Sequence, residues 1–195
     1  MKDLYEEKIN KDNKAHMKML YDIWFHHYPN DKDIQDIDKK WRKWNILNNF
    51  IIINIVNIGF QGKDPLTDFR GSGLLGLKHL WQFNMMDPRA ENVFNVATNQ
   101  QTWYFFAATG INISGKVIEF IEKGNCDKYF YELKEGMNLY LFTQKLYNEF
   151  FNGFNELWVE RNYTDFMKVN TLLEEFMEIK AKDIFLKLIK NSKLF

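Results

Sequence analysis

Apolar residues recur along this chain at three- and four-residue steps, the spacing that gathers them on one face of a helix. Over residues 14 to 28 these positions are Met17, Leu20, Ile23 and Trp24, and Pro29 stops the run. A second segment, which Asp31 or Asp33 can cap, carries Trp41, Trp44, Leu47 and Ile51 toward Ile58. Its isoleucine-rich part also suits a strand, but the spacing upstream favours helix. Gly73 to Met86 reads as a third helix halted near Pro88, and residues 90 to 108 as a fourth that ends near Gly110. The following GINISG turn offers Asn112 or Ser114 as cap for a helix from Gly115 to Lys123. Residues 127 to 152 read as one long helix, with Tyr129, Phe130, Leu133, Leu139, Phe142 and Leu146 on its apolar face. Thr164 and Asp165 cap the last long helix, whose stripe runs from Phe166 through Val169, Leu173 and Phe176 to Phe185 and Leu188. No internal repeat, linker or sustained alternation breaks this pattern. The expected fold is all-α, a single compact multi-helix domain with an ordered Gly-rich interhelical loop.

Composition then excludes several classes. The chain has 195 residues, 46% hydrophobic and 17% aromatic, which is too apolar for a disordered tail. Its 26 Lys plus Arg cancel 26 Asp plus Glu, so bulk charge points to no nucleic-acid partner. Cys126, the single cysteine, closes no intrachain disulfide and builds no zinc site alone. His26 and His27 lack a further ligand at metal spacing and read as a helix-end pair, so no metal is expected. His79 is expected half-buried on the third helix, and Trp81, Trp103 and Trp158 are expected as core anchors. The N-terminus carries both signs of charge where a signal peptide is apolar, which fits a cytoplasmic chain. The most apolar run, Ile46 to Phe60, is broken by asparagines and is shorter than the roughly 20 residues that span a bilayer. Lysines from Lys180 to Lys193 fit a solvated helix face. With Phe185, Leu186 and Leu194 they also suit peripheral contact with an internal membrane.

The chemistry concentrates in one short segment. Five of the ten glycines fall between Gly59 and Gly76, in IGFQGKDPLTDFRGSGLLGL. Gly62, Gly71 and Gly73 permit positive φ or close backbone approach. Asp64-Pro65 initiates a turn, and Thr67 and Asp68 are candidates to cap the helix that follows. Arg70 is one of four arginines in a lysine-rich chain. It either anchors the loop, through Asp64, Asp68 or helix carbonyls, or offers its planar fork to something outside. The segment is no Walker A loop, because no Gly-Lys-Ser/Thr follows at the right spacing. Gly71-Ser-Gly73-Leu-Leu-Gly76 spells GxGxxG, but without the preceding strand that a dinucleotide site requires.

Ile58-Gly-Phe-Gln-Gly62, Asp64-Pro65, Thr67-Asp-Phe-Arg-Gly71 and Gly73-Leu-Leu-Gly-Leu77 closely resemble the signature of the ELMO (engulfment and cell motility) domain. Trp103-Tyr-Phe-Phe-Ala107, Gly110-Ile-Asn-Ile113 and the region from Phe150 to Trp158 continue the likeness. Residues 36–195 would then be the ELMO domain with a C-terminal amphipathic helix, and residues 1–35 an N-terminal helical extension. The chain departs from the small type of the family at Ile55, where that type has Trp, and at Phe105, where it has Pro. The resemblance implies a GTPase-activating protein for Arf or Arf-like small GTPases, acting in membrane traffic, because Arg70 stands at the arginine of the small type. The large type lacks that arginine and scaffolds Dock-type exchange factors, so a non-catalytic adaptor is the other implied role. Under the first reading Arg70 is the arginine finger, Gln61 assists it, and Gly62, Asp64, Asp68, Gly71 and Gly73 touch the partner. GTP and magnesium would be the partner's, so this chain is expected to hold no cofactor and to act as a monomer.

Overall fold

The computed structural model describes residues 2–29, 58–61, 64–132 and 138–191. Helix α1 spans Lys2–Glu6 and α2 spans Lys14–His27. Asn13 caps α2, its side-chain oxygen accepting from the N–H groups of Ala15 and His16. A 3-10 turn over Pro65–Gly71 leads into α3, Gly73–Met86. Next come α4 (Ala90–Thr98), α5 (Phe106–Glu122), α6 (Asp127–Glu132) and α7 (Leu139–Glu160). A second 3-10 turn, Phe166–Lys168, precedes α8 (Val169–Ile179) and α9 (Ala181–Asn191). Among the described residues there is no strand, and the fold is all-α.

Three helices make the centre. Leu77, Leu80 and Phe83 of α3, Phe106, Ile113 and Val117 of α5, and Leu146, Phe150 and Phe154 of α7 are all 0% exposed. Phe83 stacks on Phe151 at 4.9 Å between ring centroids. Trp24 of α2, Phe176 of α8 and Phe185 of α9 close the sides of the same cluster. Burying aromatic side chains of this size is the main stabilising term, each worth roughly 2–3 kcal/mol of transfer free energy. Gly110 lies inside α5 because a Cβ there would meet the Tyr147 hydroxyl at 2.7 Å and Leu80 at 2.9 Å. It lets α3, α5 and α7 close up.

Several expected boundaries move, each for a physical reason. The GINISG segment is helix interior, so neither Asn112 nor Ser114 caps anything: α5 runs unbroken from Phe106 to Glu122. Gly110 marks a close helix contact there, where a helix end was expected. The expected helix over 90 to 108 is therefore two, with a loop between Thr98 and Phe106. The expected helix over 127 to 152 is also two. Asn138 takes an extended conformation and caps α7, accepting from Tyr140 and Leu141 N–H. The last helix begins with a 3-10 turn capped by Asp165 and breaks at Lys180, which lets Phe185 turn inward to 5.5 Å from Phe120. That inward turn takes Phe185 out of the stripe expected to meet a membrane, while Leu186 remains 52% exposed. The helix expected through Trp41 and Trp44, with its Asp31 or Asp33 cap, lies outside the described residues before Ile58.

The polar side chains expected in or near the core sort themselves differently. His79 is fully buried, where half-burial was expected, and its ring nitrogens bond the Ser114 hydroxyl at 3.1 Å and the Thr143 hydroxyl at 3.2 Å. Burial pulls its pKa down to about 3. His27 faces the Asn84 side-chain oxygen at 2.7 Å and stacks on Phe94, and burial pulls it down to about 4. Of the three tryptophans Trp158 alone is fully buried, donating its indole N–H to the Thr102 carbonyl at 2.6 Å. Trp81 and Trp103 are half-buried, the first bonded to Asp22. Cys126 is buried, which pushes its thiol up to about 12. No described helix is long and apolar enough to cross a membrane.

Candidate functional site

The 3-10 turn of residues 65 to 71 is built from its first residue. Asp64 is extended at its N-cap, and its side chain accepts from Leu66 N–H at 3.1 Å. The Asp64 carbonyl accepts from the Thr67 amide at 3.0 Å and the Thr67 hydroxyl at 2.8 Å. Pro65 fits the first position of such a turn, where an N–H has no partner. Phe69 points inward, 2% exposed, with its ring 6.0 Å from Phe60. The residue beside an inward aromatic points outward, and that residue is Arg70.

Thr67 and Asp68, expected to cap α3, do other work. Thr67 closes the turn, and Asp68 accepts the Gln61 backbone N–H at 2.6 Å, tying the preceding loop segment to the turn. The N-cap position of α3 belongs to Ser72, whose side chain makes no capping bond. Its hydroxyl is packed into the space a Cβ at Gly76 would need, 2.0 Å from that position. Gly73 has φ +53°, and a Cβ there would stand 2.3 Å from the Tyr5 carbonyl oxygen. Close approach thus explains Gly73. It does not explain Gly71, where a Cβ would meet no described residue within 4 Å and φ is not positive. Gly62 lies outside the described residues.

Arg70 is exposed, and among the described residues no group forms a hydrogen bond or ion pair with it. The two carboxylates of the alternative in which Arg70 anchors its own loop are engaged elsewhere. Asp64 pairs with Lys11 at 2.8 Å, and Asp68 holds the Gln61 amide. Gln61 is itself exposed, with its side-chain amide bonded to no described residue. The structure therefore brings Arg70, Gln61, Asp64, Asp68, Gly71 and Gly73 onto one turn and its immediate flank.

Two hollows open beside that turn, and neither was legible in the sequence. One, of about 510 Å³, runs from Asp68 and Gly71 to Asn112, Lys116 and Glu122 of α5 and Asn170 of α8. The other, of about 110 Å³, lies under Gln61 and reaches Phe166 and Met167. Asn112 and Asn170 line both, so the two form one continuous face. Met167 is 73% exposed on it. These residues lie some 40 to 100 positions downstream of Arg70, and helix packing alone brings them there. Among the described residues no group of three or more His, Cys, Asp or Glu side chains is placed to hold a metal ion.

Comparison with known proteins concerns the chain as a whole. The family model described as "ELMO/CED-12 family" matches residues 1–173. The chain is 30% identical to ELMO domain-containing protein B of Dictyostelium discoideum over 189 residues, covering 95% of this chain and 61% of that protein. It is 28% identical to ELMO domain-containing protein 1 of Bos taurus over 199 residues, covering 93% and 57%. It is also 28% identical to ELMO domain-containing protein 2 of Homo sapiens over 178 residues, covering 91% and 56%. The chain thus spans a little under two thirds of the length of these relatives. No solved structure matches it.

Proposed function

The chain belongs to the ELMO/CED-12 family, and on that footing we propose that it is a GTPase-activating protein for Arf or Arf-like small GTPases, presenting Arg70 in trans to the phosphates of the partner's GTP. One observation carries the reading: Arg70 is exposed on a capped turn and no described residue binds its guanidinium. An arginine that anchored its own loop would spend its donors on Asp64, Asp68 or nearby carbonyls. The GTPase class comes from the likeness of residues 67 to 71 to the small ELMO type.

The chemistry asks little more of this chain. During phosphoryl transfer, charge spreads over the equatorial oxygens of the departing γ-phosphoryl group. A planar guanidinium in reach neutralises that charge with two parallel N–H donors. Such a group is worth about 10³–10⁵ in rate, or roughly 4–7 kcal/mol of barrier. Gln61, also outward and with its side-chain amide bonded to no described residue, could order the partner's water or switch segment. Gly71 leaves the turn slim beside Arg70, and Asp64, Asp68 and Gly73 hold its shape. GTP and magnesium are brought by the partner.

The test is single-turnover GTP hydrolysis by a panel of GTP-loaded Arf-family proteins with and without this chain. Stimulation that falls to background with Arg70→Lys, while partner binding persists, is the expected result. Lysine keeps the charge and loses the fork. Stimulation undiminished by that change removes the arginine-finger reading. Nucleotide-dependent binding with no stimulation by the wild-type chain selects the adaptor role instead.

A further inference from the structure

The turn that bears Arg70 has two ends, and one short segment near the N-terminus touches both. At the entry, Lys11 Nζ pairs with Asp64 Oδ2 at 2.8 Å, and Asp64 is the residue that caps the turn. At the exit, the Glu7 carbonyl accepts the Leu74 N–H at 2.8 Å. Leu74 is the second residue of α3, so its amide has no partner within the helix and Glu7 supplies one. Gly73, one residue earlier, lies directly beneath the carbonyls of Tyr5 and Glu7, where a Cβ would come within 2.3 and 2.6 Å of their oxygens.

The segment is itself tied down. Leu4 and Ile9 pack on the core, and the Tyr5 hydroxyl lies 4.0 Å from the Cβ position of Gly115 on α5. The Asn10 amide donates to His16 Nδ1 at 3.1 Å, joining the segment to α2. Arg70 itself has no bond to a described residue that would fix its side chain. The place from which it reaches outward is therefore set by the backbone on either side of it.

We propose that residues 4–11 act as a strap that sets the position of the Arg70 turn, with Lys11 as a positioning residue acting through Asp64. The proposal rests on the activating role of Arg70 for its kinetic consequence, but the strap itself has a separate readout. Loosening the entry end lets the turn sample other placements. Only a fraction of encounters then carries the guanidinium to the phosphates, so kcat falls by that fraction while partner binding is little changed.

Two measurements on the full chain test it, with Lys11→Met and the conservative Lys11→Arg. Amide hydrogen exchange over residues 66 to 74 is expected to quicken about threefold to fivefold in Lys11→Met, the range a single exposed ion pair can supply, and to stay at the wild-type rate in Lys11→Arg. Stimulated GTP hydrolysis is expected to lose a like factor in kcat for Lys11→Met, with KM changed less than twofold, and to be retained by Lys11→Arg. Unchanged exchange in Lys11→Met overturns the strap, whatever the kinetics. Quickened exchange with unchanged kcat overturns the positioning role. If the wild-type chain stimulates no GTPase, the activating reading fails and the exchange comparison still decides the strap. Gly73→Ala strikes the other end. It is expected to expose the Leu74 amide, and continued protection there overturns the exit contact.

Discussion

Two arginines nineteen residues apart are used in opposite ways. Arg89, at the junction of α3 and α4, is gripped on both sides. Its Nε and one terminal nitrogen meet the two Asp87 oxygens at 2.9 and 2.8 Å, and its terminal nitrogens meet Glu149 of α7 at 2.7 and 3.2 Å. The bonds to Asp87 foremost raise its pKa above the usual arginine value. Arg70 has no such bonds to any described residue, and its neighbours are tied to one another instead. The contrast shows that the fold is able to satisfy a guanidinium when it needs a clamp. An arginine left open on a well-made turn is free to meet something else.

The sharpest way to break the contrast is to exchange the expected losses. Arg70→Ala should reduce stimulated hydrolysis by about a thousandfold or more, with a urea midpoint unchanged, because nothing described in the fold leans on it. Loss of stability with retained stimulation would reverse the assignment. Arg89→Ala should do the converse. It leaves Asp87, whose side chain is 4% exposed, without its charged hydrogen-bond partner, at a cost of about 1.5–3 kcal/mol in urea unfolding. Stimulation per folded molecule should hold.

A third expectation concerns pH. The folded-state pKa values of His27, about 4, and His79, about 3, lie below the 6.5 of the unfolded chain. Between those values the unfolded chain binds more protons than the fold, so acid favours unfolding. Stability should be full above pH 6.5 and fall as pH drops through 6.5 toward 4. Each histidine contributes a limiting slope of about 1.4 kcal/mol per pH unit. A urea midpoint flat between pH 7 and 5 would show that these side chains are not buried as neutral groups. The smallest effect belongs to Arg161, which pairs on the surface with Glu175 and Glu160. Arg161→Ala should leave the urea midpoint close to the wild-type value, since exposed pairs recover solvation when broken.

What the sequence revealed depended on how local each cause was. Helix α3 was legible from Gly73 to Met86 because periodicity, a glycine-rich start and Pro88 are all local signals. The site segment was legible for the same reason: Asp64, Thr67, Asp68 and Arg70 are close neighbours. Their bonding was less so, since the Asp64 to Lys11 and Glu7 to Leu74 contacts join positions more than fifty apart. Gly110 misled because a glycine at a helix crossing and a glycine at a helix end look alike until Tyr147 is known to lie against it. The charged segment of residues 2 to 11 offered no apolar periodicity, so its role in holding the turn was invisible.

One detail of the turn has a practical side. Gly71 adjoins Arg70, sits at the rim of the larger hollow, and has no described residue within 4 Å of where a side chain would begin. The sole native thiol, Cys126, is buried and its pKa is raised to about 12, so it resists alkylation at neutral pH. A Gly71→Cys chain therefore accepts a single dye at a defined place without rebuilding the protein. Fluorescence from that spot would report in real time when a partner covers the arginine and when it leaves.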